Sequence, residues 1–102
     1  MYKPLPNYLT IRPSEIHGLG LFAKSYIPKD HCLGESLYKS DISPDGYIRT
    51  PLGGFINHSV TPNCRVETIG NVTRIYTRRE INPNEELTLK YNLYDPSKRQ
   101  DI

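Results

Sequence analysis

The 102-residue sequence predicts a mainly β fold of several short strands in small sheets, with little helix. Three observations predict it. Nine prolines and seven glycines punctuate the chain. Between these breakers, no segment of about 12 residues keeps apolar side chains at helical spacing. The runs flanking Gly70-Asn71 alternate apolar with polar residues, the period of a half-buried strand.

The elements follow in order. Tyr8 to Arg12 alternates and reads as a first strand, and Gly20 to Lys24 is a short apolar second. Cys32 to Leu37 follows a Pro28-Lys29-Asp30 turn. Lys39 to Thr50 contains a Pro44-Asp45-Gly46 turn. Gly53 to Cys64 is rich in residues that bend and hydrogen-bond, and poor in residues that fill a core. Cys64 to Thr77 is a hairpin about the two-residue Gly70-Asn71 turn. That turn sets Ile69 opposite Val72, Glu67 opposite Arg74 and Val66 opposite Ile75. One face then carries Cys64, Val66, Thr68, Thr73, Ile75 and Thr77 inward, while Glu67 and Arg74 pair on the other, worth about 0.2–1 kcal/mol. Ile81 to Leu87 is a turn into a final strand, with Asn84 suited to a left-handed backbone. The chain reads as one domain over residues 1–102, with its core from about 8 to 94 and a polar, flexible tail at 95–102.

Bulk properties exclude some classes. Thirteen basic and eleven acidic residues leave a net charge of +2, too little to argue for direct nucleic-acid binding. No apolar run approaches the roughly 18 residues of a membrane span, and Met1 to Pro6 lacks the apolar core of a secretion signal. The expectation is an intracellular protein, in cytoplasm or nucleus, away from membranes. Cys32 and Cys64 are too few for a disulfide framework and read as small buried thiols. His31, Cys32, His58 and Cys64 lack regular ligand spacing, so no metal site is expected.

Three segments can carry chemistry. His17-Gly18-Leu19-Gly20-Leu21-Phe22-Ala23 has two glycines that let backbone approach a ligand; read alone, it is a tight turn between strands. Phe55-Ile56-Asn57-His58-Ser59 leads to Pro62-Asn63; read alone, His58 is a satisfied structural histidine. Glu86-Leu87-Thr88-Leu89-Lys90-Tyr91 ends in a tyrosine that, among eight, reads alone as core.

Together, in this order, the three segments resemble the signatures of the SET domain, the β-clip fold of protein lysine methyltransferases. The resemblance runs from about Tyr8 to Tyr94. It implies S-adenosylmethionine as cofactor and a lysine-containing protein or peptide, such as a histone, as substrate. It implies cofactor contacts from Gly18, Leu19 and Gly20, with Ser14 and Ile16 also in register, and from Asn57 and His58. It assigns catalysis to Tyr91, and the substrate channel to Leu89, with Tyr38 and Tyr94 as weaker wall candidates. It also implies a knot-like crossing of the Asn57-His58 segment with the last strand. Lys24 stands where it could meet the cofactor carboxylate; read alone, it is a solvated lysine.

Four departures mark a reduced form. Gly54 stands where many members have Arg, and Val60 where many have Cys. That Cys joins a zinc site with a Cys-rich tail in many histone-directed members; this sequence lacks such a tail, and no zinc is expected. The insert between the halves of the domain shrinks to Lys39–Thr50, and Leu89 replaces the Phe or Tyr that tunes methylation number. A second protomer in a homodimer, the substrate itself, or an open site of weak activity are the ways left to complete it. A SET-like interaction module without catalysis, or a small β domain binding peptide at a sheet edge, are the readings from other classes.

Overall fold

The computed structural model describes residues 5–42, 44 and 46–90. Tyr91, Tyr94 and the expected tail at 95–102 lie outside them. Among the described residues, eight strands run in the order β1 (Leu9–Pro13), β2 (Leu19–Ala23), β3 (Cys32–Lys39), β4 (Tyr47–Arg49), β5 (Asn57–His58), β6 (Cys64–Ile69), β7 (Val72–Thr77) and β8 (Glu86–Leu89). One short helix, α1 (Pro51–Phe55), lies between β4 and β5. The strands form two four-stranded sheets, β1-β2-β8-β5 and β4-β3-β7-β6.

The second sheet is organised by its turns. β6 and β7 pair in unbroken register from Cys64↔Thr77 to Ile69↔Val72, as the Gly70-Asn71 turn predicts. Gly70 takes φ 61°, a conformation glycine adopts freely. Cys64, Thr73, Ile75 and Thr77 are buried on the predicted face, but Thr68 is exposed. The expected Glu67–Arg74 ion pair does not form. Arg74 Nη2 reaches Glu35 Oε2 at 3.2 Å, on the strand to its other side, and Glu67 pairs with Arg65 on its own strand. β3 joins β7 with register shifts between Cys32 and Gly34 and between Glu35 and Leu37. Such bulges bend a strand and increase its twist. The short segment after Lys39 supplies β4, an edge strand pairing Leu37↔Arg49 through Lys39↔Tyr47.

The first sheet is discontinuous in sequence. β1 and β2 are antiparallel from Leu9↔Ala23 to Pro13↔Leu19, and Pro13 is tolerated because β1 lies at an edge. β8 runs antiparallel to β2 (Leu21↔Leu87, Phe22↔Glu86) and parallel to β5 (Asn57↔Thr88, His58↔Leu89). Asn84, at φ 70°, takes the expected left-handed conformation before β8.

The core between the sheets includes Leu21, Ile27, Leu52, Ile56, Ile75, Ile81, Leu87 and Leu89. Cys64 is buried in it, whereas Cys32, expected to be buried, is exposed at the start of β3. Helix α1 was not foreseen, because Gly53-Gly54 reads as a helix breaker. Thr50 and Pro51 nonetheless start it: Thr50 Oγ1 accepts from Gly53 N, and proline suits the first turn. Gly53 is required by packing, since a Cβ there would lie 2.3 Å from the Ser36 carbonyl oxygen of β3.

Candidate functional site

β5 and β8 bring together side chains from three distant parts of the chain. The Asn57 side-chain amide Nδ2 donates toward Ser14 Oγ (3.1 Å), the His17 carbonyl (3.1 Å), the Leu19 carbonyl (3.1 Å) and Glu86 Oε2 (2.9 Å). The two carbonyls can only accept, which fixes the amide orientation. Ser14 Oγ in turn donates to the Glu86 carboxylate, at 2.9 Å and 2.8 Å to its two oxygens, and accepts from Ile16 N at 2.9 Å. Asn57 is buried and Ser14 and Glu86 are half-buried. Hydrogen bonds to a carboxylate in such surroundings are stronger than neutral ones.

The glycines of the first segment serve this cluster differently. Gly18 takes φ 47° and turns the chain so that its carbonyl accepts from Ser14 N at 2.8 Å. Gly20 is buried against the cluster; a Cβ there would lie 2.3 Å from Glu86 Oε2 and 3.0 Å from Ser14 Cβ. Gly20 is thus needed for Glu86 to approach.

A second clasp joins the loop after β5 to β8. The buried Asn63 side chain acts as a strand neighbour: Oδ1 accepts from Thr88 N at 2.8 Å and Nδ2 donates to the Glu86 carbonyl at 2.8 Å. Ser59 N donates to the Leu89 carbonyl at 2.9 Å. The segment from Asn57 to Asn63 therefore holds β8 by both backbone and side chain.

Of the residues predicted from sequence, Leu19 and Asn57 meet directly through the amide, and Gly18 and Gly20 shape the turn beside them. His58 is half-buried on β5, in register with Leu89. Leu89 is buried in the core and also lines a surface cleft of about 200 Å³, with Pro62, Cys64, Arg65, Val66, Arg78 and Lys90. Tyr38 lies in the other sheet, its hydroxyl donating to Glu35. Lys24 is exposed. Tyr91 and Tyr94 fall outside the described residues. Another cleft, of about 230 Å³, lies beside the β6–β7 turn, lined by Lys39, Tyr47, Thr68, Gly70, Asn71 and Thr73. No sequence-predicted site residue is among its lining. Among the described residues, no group of three or more His, Cys, Asp or Glu side chains is placed to hold a metal ion, and no helix is long and apolar enough to cross a membrane.

Glu86 was missed as a site residue. Its signal was an acidic residue at the head of the buried Leu87-Thr88-Leu89 run, which demands a partner. That partner, Ser14, lies 72 positions away.

The SET domain family model matches residues 35–92. The Ser14–Gly20 segment lies before that span. A histone-lysine N-methyltransferase, H3 lysine-4 specific, from Schizosaccharomyces pombe is 32% identical over 122 positions, covering 87% of this chain and 13% of the relative. Its counterpart from Chaetomium globosum is 30% identical over 110 positions, covering 76% of this chain and 10% of the relative. The chain thus spans about a tenth of the length of these relatives. Both alignments are longer than the 102-residue chain itself, so the fungal proteins carry stretches with no counterpart here. Among solved structures, the methyltransferase domain of human PR domain-containing protein 2 superposes with a TM-score of 0.67 at 18% identity, over 89% of this chain and 81% of that one. A candidate histone methyltransferase of Plasmodium falciparum gives 0.67 at 22%, over 87% and 96%. At these identities the likeness concerns the fold.

Proposed function

The chain belongs to the SET domain family, and we propose that it is a protein-lysine N-methyltransferase that takes its methyl group from S-adenosylmethionine. The observation that carries this reading is the Asn57–Ser14–Glu86 cluster. Around one amide with two protons stand a carboxylate, a hydroxyl and two main-chain carbonyls. That is a surplus of acceptors. Among the described residues no donor reaches Asn57 Oδ1, which adds another. Such a set suits an ammonium group, which brings three N–H donors and a positive charge. The amino-acid end of S-adenosylmethionine carries one.

In this reading Asn57 and Glu86 hold the cofactor amine, and Gly18, Leu19, Gly20 and His58 offer backbone around it. When bound, S-adenosylmethionine supplies an electrophilic methyl group on a sulfonium. The protein's remaining task is to present a neutral lysine amine in line with it. A free lysine has a pKa of about 10.4. Desolvation beside an apolar wall such as Leu89 favours the neutral amine. Tyr91 aligns that amine through its hydroxyl, and positioning supplies much of the rate.

Calorimetry with S-adenosylmethionine and radiolabelled transfer to histones and to cell lysate test this. Tyr91→Phe is expected to abolish transfer with cofactor binding nearly intact. Asn57→Ala is expected to weaken cofactor binding itself. Full activity in Tyr91→Phe would overturn the catalytic assignment.

One observation favours a second reading, an interaction module without catalysis. Both Asn57 Nδ2 protons are already taken inside the protein, as in a purely structural clasp. Absence of cofactor binding at millimolar concentration would overturn the enzyme reading. A homodimer completing the site also belongs to the proposal; full activity of a monomer at nanomolar concentration would remove it.

A further inference from the structure

The cleft beside Leu89 carries a charge pattern that the cofactor site does not explain. Its floor is apolar, from Pro62, Val66, Leu89 and the buried Cys64. Burial pushes the Cys64 thiol up to about 12, so it adds no negative charge near neutrality. Three cations rim the cleft: Arg65, Arg78 and Lys90. Arg65 is neutralised locally, paired with Asp30 at 3.3 Å and with Glu67, and lying over the Tyr76 ring at 4.8 Å. The tandem Arg78-Arg79 is split by the fold. Arg79 pairs with Glu85, whereas Arg78 and Lys90 are exposed and meet no carboxylate among the described residues.

The cleft also lies close to the Asn57 cluster. Side chains alternate along a strand, so Glu86 and Leu89 leave β8 on opposite faces, three residues or about 10 Å apart. Glu86 turns to Asn57, and Leu89 turns to the core and the cleft. One strand therefore separates the cluster from a groove that combines an aliphatic floor with two cations that meet no carboxylate among the described residues.

We propose that this cleft seats the substrate residue flanking the methyl-accepting lysine and selects an acidic side chain there, with Arg78 and Lys90 as the specificity-determining cations. This rests on the reading of the chain as a protein-lysine methyltransferase. An Asp or Glu laid over Pro62 and Val66 places its carboxylate between the two cations. An arginine-rich segment brings like charge to the same rim and is disfavoured. Exposed pairs contribute little each, so the selectivity is roughly threefold to tenfold and weakens as salt screens it.

The test uses the full chain and three labelled peptides, identical but for Glu, Ala or Arg beside a central lysine. Fluorescence anisotropy at low and high salt reads binding without requiring catalysis. The expected order is Glu tightest and Arg weakest, with the gap shrinking in salt. Arg78→Glu and Lys90→Glu are each expected to level that order, and the double variant to reverse it, while the circular dichroism spectrum stays unchanged. Equal affinities, or a preference for Arg, would overturn the proposal. So would equal binding of an acidic peptide lacking the lysine. Methyl transfer to the same peptides separates the two claims. Transfer without flank preference in binding overturns the acidic selectivity and keeps the catalytic reading. Flank preference without transfer keeps the selectivity of the cleft and overturns catalysis.

Discussion

The two sheets of this protein are held together by different means. In the second sheet β6 and β7 are neighbours in sequence and share six consecutive register pairs about a two-residue turn. Backbone does the joining, and side chains decorate it. In the first sheet β8 shares two register pairs with β2 and two with β5. Side chains supply much of what else holds β8: Asn57 to Glu86 across 29 positions, Ser14 to Glu86 across 72, and Asn63 to Thr88 across 25. A backbone ladder tolerates side-chain change, since every residue carries the same donor and acceptor. A side-chain clasp fails when one atom is removed. The cofactor site proposed here sits on the clasped sheet, so stability and binding are coupled there and separable in the other.

The largest expected effect comes from breaking the Asn63 clasp. Asn63→Ala removes the partners of Thr88 N and the Glu86 carbonyl without replacing them. Each buried backbone group left unpaired costs about 1–3 kcal/mol, so the loss is roughly 2–6 kcal/mol, a large part of what a small domain has. Urea unfolding measures it. The matched change in the second sheet, Thr68→Ala, loses one hydroxyl bond at an exposed position and should cost under about 1 kcal/mol. Equal losses would erase the distinction between the sheets.

Gly20→Ala sharpens it. The added methyl would sit 2.3 Å from Glu86 Oε2, and the carboxylate can retreat only by giving up Ser14 and Asn57. Overpacking costs about 1–3 kcal/mol. Cofactor affinity is expected to fall as well, because the displaced group belongs to the cluster. Gly54→Ala is the control, since a Cβ there meets nothing within 4 Å. It should leave calorimetry unchanged and raise stability in unfolding by up to about 1 kcal/mol, since alanine suits a helix better than glycine. Wild-type cofactor affinity in a folded Gly20→Ala variant would remove Glu86 from the site.

This difference also explains what the sequence made legible. The hairpin could be read pair by pair, because the Gly70-Asn71 turn and strict alternation fix its register locally. The partner of Arg74 could not, because Glu35 arrives on a strand with two register shifts. Helix α1 was hidden because Gly53 answers to the Ser36 carbonyl, a tertiary contact, and not to helix propensity. Asn57 was legible through its motif, but its partners Ser14 and Glu86 were not assigned to each other. Nothing local in either segment encodes a contact across 72 positions.

Gly70→Ala tests the local end of the comparison. Gly70 has φ 61° and open space around its missing Cβ, so the strain is confined to the backbone. A left-handed non-glycine residue costs roughly 1–2 kcal/mol. Thermal unfolding should register that loss while cofactor binding is unchanged. A fall in cofactor affinity would mean the sheets are coupled more tightly than their separate clasps imply.

The smallest effect is electrostatic and lies between the sheets, in the turn leading to β8. The hydrogen bond from Arg79 holds the Glu85 carboxyl below its ordinary range, assisted by Asn82 N at 2.9 Å. The unfolded chain therefore binds a proton on Glu85 at a higher pH than the folded one. The stability this gives is fully present above the unfolded pKa of about 4.3. It is lost as pH falls through the depressed folded value. Arg79→Ala should flatten that acid limb in unfolding curves recorded as a function of pH. Arg79 is 55% exposed, so solvent screening keeps the change below about 1 kcal/mol. An unaltered acid limb would take Arg79 out of the cause and leave the Asn82 amide and the Asn63 side chain to hold the carboxyl down, tying this turn to the same Asn63 that clasps β8.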